Sequence, residues 1–227
     1  MENSLFFNHV LRALGFRVYT AGVRIRMREN GVPKGDYIGF VHIVNIVTLP
    51  DGTKYMIDVG FGGDQATRPL ALSVDKPQKN LGSQEIRLIR GTISTQTDPS
   101  QQLWIYQYRN QREHEWNSFY AFGEFEFLPA DWHMLNYFVS TNIGPTNIQV
   151  ARLLVVRFLR EGSEIVGKLM CVDKEVKRNM GGKTTIECEF ANEQERVEGL
   201  KRIFGITLTD EEVEGIKGSI VELIAVK

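Results

Sequence analysis

Residues 39–63, GFVHIVNIVTLPDGTKYMIDVGFGG, form two apolar segments joined by the turn sequence LPDGT. Apolar runs on both sides of a Pro-Asp-Gly turn predict a β-hairpin. Each predicted strand carries one ionisable residue among hydrophobes, His42 in the first strand and Asp58 in the second. Burying an imidazole and a carboxylate costs free energy unless each finds a partner. The hairpin therefore raises the question of whether these two side chains meet.

The turn sequence predicts the register of the hairpin. If residues 50–52 form a three-residue loop, Asp58 faces Val44, and His42 lies on the same face, diagonal to Asp58. Diagonal neighbours have Cα atoms about 7–8 Å apart, which longer side chains can bridge. A two-residue loop would instead place His42 and Asp58 on opposite faces, because a slip of one residue reverses every side chain.

A contact between His42 and Asp58 has both a functional and a structural interpretation. A carboxylate that holds one imidazole nitrogen leaves the other nitrogen free to act as a base. The structural alternative is a self-satisfied buried pair, or a surface histidine with an unrelated aspartate at a strand end. The spacing alone leaves these alternatives open.

The composition is that of an ordinary globular protein, with 42% hydrophobic and 24% charged residues in 227. Twenty-seven basic residues balance 28 acidic ones, so the charge gives no argument for a nucleic-acid or anionic-membrane partner. No apolar run approaches the roughly 20 residues that cross a bilayer. Two cysteines, Cys171 and Cys188, are too few for a disulfide framework and lack metal-ligand spacing. Reduced thiols in a cytoplasmic protein are the expectation.

Helical and strand patterns alternate along the chain in a way that predicts an α+β fold. An apolar helical pattern opens the chain in SLFFNHVLRALGF, and several aromatic and β-branched strands follow the hairpin. The segment LPADWHMLNYFVSTNIGPTN is the best candidate for a connector, because it carries a short helical pattern between two groups of strands. A second strand group and two capped helices complete the chain.

These segments together resemble the arylamine N-acetyltransferase family, and in particular its fungal members. The strongest motif is a histidine in an apolar strand, a short turn, and a strand ending in D-V-G-F-G, supplied here by His42 and IDVGFGG. FLPADWHMLNYFVST and LKRIFGITL add weaker support. The resemblance covers essentially the whole chain.

The resemblance implies a cysteine-protease-like α+β fold with an antiparallel β-barrel and an α/β lid. In that arrangement residues 1–15 are a remnant of an N-terminal helical domain, and residues 16–128 form the barrel. Residues 129–150 are then the connector, and residues 151–227 form the lid. Most of the family's N-terminal helical bundle is expected to be missing from these 227 residues.

The activity implied by the resemblance is a ping-pong acyl transfer of xenobiotic metabolism, without a bound cofactor or metal. A cysteine thiolate, activated by His42 and oriented through Asp58, takes an acyl group from acetyl-CoA or another short acyl-CoA. It passes that group to the nitrogen of an arylamine or arylhydrazine. The resemblance also implies that Phe61 borders the acyl pocket. The same comparison implies that bound CoA lies near Gly62, Ser140, Thr141 and Thr146.

The nucleophile of the family lies in an R-G-G-x-C segment, which the resemblance places directly before Met1. Glu2 matches the position two residues after that cysteine, while Ser4 stands where the family has an asparagine. Cys171 and Cys188 do not align with the nucleophile, and their apolar neighbours favour a packing role for both. The 227 residues are therefore expected to be unable to form an acyl-cysteine on their own.

Two explanations remain open for a chain that starts at Met1, directly after the expected position of the cysteine. A misassigned start codon is favoured over a genuine truncation, because Met1 begins a helical pattern without a polar lead-in. The rival functional class is a catalytically silent pseudoenzyme. Such a protein would bind CoA or an aromatic ligand, or would regulate a full-length paralogue. The sequence leaves the preferred amine, the acyl donor and the oligomeric state undecided.

Overall fold

The structure is a computed structural model that describes residues 2–144 and 147–224. Contacts divide the chain into two compact units, Met1–Phe138 and Val139–Lys227. Helices and strands occur in both units, so the predicted α+β class is confirmed. The finer division into a helical remnant, a barrel, a connector and a lid stays a prediction.

The helices are α1 (Glu2–Ala13), α2 (Pro129–Thr141), α3 (Ile148–Ala151), α4 (Glu193–Gly199) and α5 (Asp210–Glu214), with a π-helical turn (Leu200–Phe204) directly after α4. The strands of the first unit are β1 (Arg17–Glu29), β2 (Val32–Thr48), β3 (Lys54–Ile57), β4 (Leu70–Ala71), β5 (Gln78–Lys79), β6 (Glu85–Gly91), β7 (Leu103–Arg109) and β8 (Asn117–Phe122). Those of the second unit are β9 (Leu154–Glu161), β10 (Glu164–Val172), β11 (Glu175–Asn179) and β12 (Thr184–Glu189). No helix among these described residues is long and apolar enough to cross a membrane.

The first unit is built on one curled antiparallel sheet, a half-barrel with the strand order β4-β3-β2-β1-β8-β7-β6-β5. Val74, just after β4, forms a bridge to Leu88 of β6, which draws two distant parts of the sheet together. Its interior contains fully buried aliphatic and aromatic side chains, among them Ile43, Ile46, Met56, Ile86, Leu88, Tyr106, Tyr120 and Phe122. The alternation of buried residues along β6 follows the period of two expected for a strand.

The hairpin of β2 and β3 has the predicted register. Thr48 pairs with Lys54, and Asn45 pairs with Ile57, as a three-residue loop requires. The backbone N–H of Leu49 donates to the carbonyl of Thr53 at 2.9 Å, which closes the turn. Gly52 has a φ of 86°, a left-handed conformation that glycine adopts at little cost. The turn chemistry therefore fixes which residues of β2 and β3 face one another.

The ladder of the hairpin ends earlier than the simplest extension of that register suggests. Asn45–Ile57 is its last pair, so Asp58 lies just beyond β3 rather than paired with Val44. From there the chain turns, and the backbone N–H of Gly60 donates to Oδ1 of Asp58 at 3.0 Å. Asp58 consequently lies just past the end of β3, next to the part of β2 that has no β3 residue paired with it.

The second unit is built on a four-stranded antiparallel sheet with the order β12-β11-β10-β9. Cys171, Val176, Phe190 and Leu200 form its buried apolar core. Arg196 of α4 is fully buried, and it donates to the carbonyl of Val221 at 2.9 Å while it pairs with Glu193. These contacts hold α4 and the segment near residue 221 against the core of this unit.

Candidate active site

His42 and Asp58 are in direct contact in the first unit. Nε2 of His42 lies 3.0 Å from Oδ1 and 2.9 Å from Oδ2 of Asp58. Both residues are buried, with exposures of 5% and 2%. An ionised carboxylate only accepts hydrogen bonds, so Nε2 carries the hydrogen in this pair. The predicted contact is present, and it leaves Nδ1 as the nitrogen that can accept a proton.

The Asp58 carboxylate is held in place by its own loop. The backbone N–H of Gly60 donates to Oδ1, the oxygen that also faces His42. A hydrogen bond from a backbone N–H fixes the orientation of a carboxylate. The loop that follows β3 therefore presents an oriented acceptor to the imidazole.

Helix α1 approaches this pair with its first turn. A Cβ atom added to Gly60 would lie 3.0 Å from Oγ of Ser4 and 3.7 Å from Cε1 of His42. Gly60 thus permits a close approach between the Asp58 loop and the start of α1. The imidazole, the loop and the first helical turn surround one small region.

A buried amide pair joins α1 to the strand that carries His42. Nδ2 of Asn45 donates to the carbonyl of Ser4 at 3.0 Å, and Nδ2 of Asn8 donates to Oδ1 of Asn45 at 2.8 Å. Asn45 is fully buried and Asn8 is 3% exposed. The Asn45 side chain therefore uses both its donor and its acceptor on two residues of the same helix, one turn apart.

Phe61 packs between His42 and an aromatic wall. Its ring centroid lies 5.3 Å from that of His42, 4.7 Å from that of Phe119 and 4.9 Å from that of Tyr120. The contacts with Phe119 and Tyr120 are edge-to-face, a preferred geometry of aromatic pairs. Phe61 is half-buried, so ordinary packing explains its position, and a role beside an acyl group stays a proposal.

Two tyrosines support the buried side of this region. Tyr106 and Tyr120 stack with ring centroids 4.4 Å apart. Burial raises the pKa of both phenols well above the ordinary value, and the charge of Asp58 raises the pKa of each further. Both side chains therefore stay protonated and neutral over the physiological range. They form part of the buried aromatic wall against which Phe61 packs.

The loop after Phe61 is fixed by Asp64. Its carboxylate pairs with Arg28 and accepts a hydrogen bond from Nε2 of Gln84 at 3.0 Å, while its carbonyl accepts from the Tyr106 hydroxyl at 2.8 Å. Gly62 belongs to the same loop, and its backbone N–H donates to Oε1 of Gln65 at 3.2 Å. The glycine-rich stretch is thus an anchored turn, and CoA binding by Gly62 stays a proposal.

Of the remaining residues expected near CoA, two lie in the second unit and one is not among the described residues. Ser140 and Thr141 are exposed near the C-terminal end of α2, in the second unit. Thr146 lies outside the described residues. His42, Asp58, Phe61 and Gly62 all belong to the first unit.

The two cysteines lie in or against the apolar core of the second unit, and Cys171 lacks the environment of a nucleophile. Cys171 is fully buried in the apolar core of the second unit, and burial raises the pKa of its thiol from 9.0 to about 11. Cys188, on β12, is partly buried against the same core. A thiol is reactive when it is partly exposed and its pKa is lowered, and Cys171 has the opposite features. Among the described residues, no group of three or more His, Cys, Asp or Glu side chains could hold a metal ion.

Sequence reasoning missed the approach of Ser4 and His42 to Gly60, and the buried hydrogen bonds that join Asn45 to Ser4 and Asn8. One signal was available, because Asn45 is a polar residue inside the apolar run HIVNIV. A buried amide requires partners as much as a buried imidazole does. The sequence did not show that these partners come from α1.

A family model described as N-acetyltransferase matches residues 1–213. The chain belongs to the arylamine N-acetyltransferase family. His42 and the D-V-G-F-G motif are the strongest features by which the sequence resembled this family, and the structure adds the direct contact between His42 and Asp58.

Two relatives that are similar to this chain are fungal proteins. The N-malonyltransferase FDB2 of Fusarium pseudograminearum is 30% identical over 232 residues, which cover 95% of this chain and 67% of the relative. The protein of the same name from Gibberella moniliformis is 30% identical over 227 residues, covering 93% of this chain and 65% of the relative. The chain thus spans about two thirds of the length of these relatives.

Solved structures of the family share the fold. The arylamine N-acetyltransferase of Salmonella typhimurium is similar with a TM-score of 0.72 and 25% identity, covering 92% of this chain and 71% of that one. The Mycobacterium marinum enzyme in complex with CoA has a TM-score of 0.74 and 22% identity, covering 99% and 75%. The curled sheet with a second sheet is therefore the fold of this family.

Proposed function

We propose that this chain supplies the base and the orienting carboxylate of an N-acyltransferase that acts through a cysteine thiolate. The observation that carries the proposal is the contact of both Asp58 carboxylate oxygens with Nε2 of His42, in a chain that belongs to this family. An imidazole held in this way has a fixed tautomer and presents Nδ1 as the base. Asp58 also stabilises the imidazolium that forms when Nδ1 takes a proton.

In the first half-reaction, Nδ1 of His42 takes the proton of the cysteine thiol. The thiolate attacks the carbonyl carbon of the acyl-CoA, and the tetrahedral intermediate collapses with loss of the CoA sulfur. That sulfur takes the proton from Nδ1 and leaves as the free thiol of CoA. The acyl group remains on the cysteine as a thioester.

In the second half-reaction, the nitrogen of an arylamine or arylhydrazine attacks the thioester carbon. Nδ1 of His42 accepts a proton from that nitrogen, and the cysteine sulfur leaves. The products are the N-acyl compound and the starting pair of cysteine and imidazole. One base thus serves both steps, since each requires a proton to be removed from the attacking atom and returned to a leaving sulfur.

The proposed place of the thiolate is directly before Met1, at the start of α1. A helix N-terminus carries partial positive charge, which stabilises a thiolate there. Ser4, in the first turn of α1, lies beside Gly60, and Cε1 of His42 approaches the same glycine. A cysteine four residues before Ser4 is proposed to lie on the same face of α1 as Ser4, the face that approaches Gly60.

The acyl donor is proposed to be a short acyl-CoA, with acetyl and malonyl as the two candidate groups. Acetyl is the group implied by the family description, and malonyl is the group named for both fungal relatives. Phe61 is proposed to border the acyl group, because its ring packs beside His42. Gly62, Ser140, Thr141 and Thr146 are proposed to contact CoA. The two unpaired cysteines favour a reducing compartment such as the cytoplasm.

The 227 residues alone are proposed not to form an acyl-cysteine. The burial and raised pKa of Cys171 argue against its acylation, and Cys188 packs against the same core. This observation also favours the second candidate, a silent relative that binds acyl-CoA or an aromatic ligand without turnover. The two candidates differ in what happens when a cysteine is placed before Met1.

A chimaera separates them. We define it as this chain with a cysteine directly before Met1, joined to the N-terminal residues that the Fusarium pseudograminearum relative has ahead of the matched region. The chimaera and the 227-residue chain are each incubated with acetyl-CoA or malonyl-CoA and an arylamine, and free CoA and N-acyl product are measured. Turnover by the chimaera that is lost in its His42→Ala variant supports the acyltransferase. Thermal stabilisation by acyl-CoA without turnover in either protein supports the silent binder.

A further inference from the structure

We propose that Asn45 is a positioning residue, which sets the first turn of α1 against the strand that carries His42. This inference rests on the proposed function, since it concerns where the start of α1 lies relative to Nδ1. Asn45 itself touches no reacting atom. It acts through Ser4 and Asn8.

The two hydrogen bonds of the Asn45 carboxamide form a two-point grip. Its N–H donates to the carbonyl of Ser4, and its oxygen accepts from the side chain of Asn8, four residues later in α1. Residues four apart lie on one face of a helix, about one turn from each other. The grip therefore fixes both the position of α1 along its axis and its rotation about that axis.

Asn45 is a rigid reference point for this grip. It lies three residues after His42 on β2, and its backbone pairs with Thr20 of β1 and with Ile57 of β3. The strand between two neighbours has little freedom to shift. Any displacement of α1 relative to Asn45 is consequently a displacement relative to His42.

An apolar side chain would fill the same space without this directional effect. Hydrophobic packing is non-directional, so it tolerates a shift of the helix by a fraction of a turn. A buried polar pair instead makes the shifted arrangement costly, because both amide partners would lose their hydrogen bonds. The buried amides thus select one position of the first turn.

The consequence of the grip is visible at Gly60. Ser4, whose carbonyl Asn45 holds, has its Oγ 3.0 Å from where a Cβ on Gly60 would lie, and Cε1 of His42 lies 3.7 Å from the same point. The loop that carries Asp58 and the first turn of α1 are therefore in contact. A helix released from Asn45 can move away from this loop.

A crosslink measures this position in the 227-residue chain without any reaction of acyl-CoA. In a Cys188→Ser background, the double variant Ser4→Cys/Gly60→Cys brings two thiols to the close approach that a disulfide requires. We expect rapid disulfide formation in this protein with oxidised glutathione. Adding Asn45→Leu or Asn45→Asp should slow disulfide formation, because Leu makes no hydrogen bond and Asp turns a carboxylate oxygen toward the Ser4 carbonyl.

The matched control is Leu88→Ala in the same crosslinking protein. Leu88 is 1% exposed in β6, so its truncation lowers the stability of the first unit without touching α1 or Asn45. Slower crosslinking with the Asn45 variants, and the original rate with Leu88→Ala, is the expected result. Equal rates for Asn45 and Leu88 variants would overturn the positioning role.

The chimaera then tests the consequence for catalysis. Asn45→Leu should lower kcat by about 10²-fold, the order expected for a displacement near 1 Å, with the KM for acyl-CoA retained. Leu88→Ala should keep the original kcat below its melting temperature. A chimaera without any turnover would contradict the proposed function, and the crosslinking rates would still decide the role of Asn45. Crosslinking that depends on Asn45 together with an unchanged kcat would overturn the positioning proposal.

Discussion

Asp58 contacts His42 through both carboxylate oxygens, which lie 3.0 and 2.9 Å from the same ring nitrogen, Nε2. This arrangement places the negative charge on the side of the ring opposite to the nitrogen that is free. It also explains why the hairpin can bury two ionisable residues, because each provides the hydrogen-bond partner of the other.

Replacing Asp58 with Asn should lower the rate of acyl transfer by the chimaera by roughly 10²- to 10⁴-fold, the range of general acid–base catalysis. The amide keeps the shape of the carboxylate but removes the charge that stabilises the imidazolium. The measurement is kcat at neutral pH with saturating acyl-CoA. Asp98→Asn is the control, because Asp98 is exposed in a loop and its carboxylate bonds to its neighbours Ser100 and Gln101. A rate for Asp58→Asn equal to that of the control would count against the role of the pair.

Replacing Gly22 with Ala should destabilise the first unit by about 1–3 kcal/mol or more, as overpacking of a core does. Gly22 is buried in β1, and an added Cβ would lie only 2.0 Å from Cζ of Phe127. The free energy of unfolding is measured by urea denaturation. Replacing the Phe127 ring with the smaller Leu side chain in the Gly22→Ala background should restore part of the lost free energy of unfolding.

The control for this prediction is Gly39→Ala on the neighbouring strand β2. Gly39 is exposed, and an added Cβ meets nothing within 4 Å. Its substitution should change the free energy of unfolding by no more than about 0.5 kcal/mol. Similar losses at Gly22 and Gly39 would show that the Phe127 contact is not the cause.

The thiol of Cys171 should make the chain less stable at alkaline pH. Burial raises the thiol's pKa in the folded state from 9.0 to about 11, so the unfolded chain loses this proton first as the pH rises. The stabilisation is fully present below pH 9, and it is lost between about pH 9 and 11. Each pKa unit corresponds to about 1.4 kcal/mol, so the loss amounts to at most about 3 kcal/mol.

The measurement is the free energy of unfolding of the wild type and Cys171→Ala from pH 7 to 11. The variant should lose less stability than the wild type in the alkaline part of this range, while the buried tyrosines contribute equally to both proteins. Val176→Ala removes volume from the same core and leaves the thiol in place, so it should keep the steep wild-type dependence. Parallel curves for the wild type and Cys171→Ala would rule out this contribution.

The hairpin was the most predictable part of the fold, for a local reason. Gly52 has the left-handed conformation that the turn needs, and the loop length then determines each pair from Thr48–Lys54 to Asn45–Ile57. The contact between His42 and Asp58 follows from that register and from the reach of the two side chains. Local turn chemistry predicted the contact, although the Asp58–Val44 pair that the argument assumed does not form and Asp58 reaches His42 from the loop beyond β3.

The surroundings of the histidine were not predictable in the same way, because they depend on contacts between residues far apart in the chain. Ser4 and Asn45 are 41 residues apart, and nothing in the spacing shows that their groups bond. The end of the ladder at Ile57 depends on the turn made by Gly60, which the alternating pattern does not reveal. The family's nucleophile position and CoA contacts came from resemblance alone, and they remain proposals.

The most direct test of the central claim is the intact mass of the chimaera after incubation with acyl-CoA and no amine. We expect a gain of one acyl group on the cysteine directly before Met1, located by peptide mapping, and no gain in the His42→Ala variant. The 227-residue chain treated in parallel should keep its original mass. Stable acylation of Cys171 or Cys188, or acylation of the chimaera that is independent of His42, would contradict the claim.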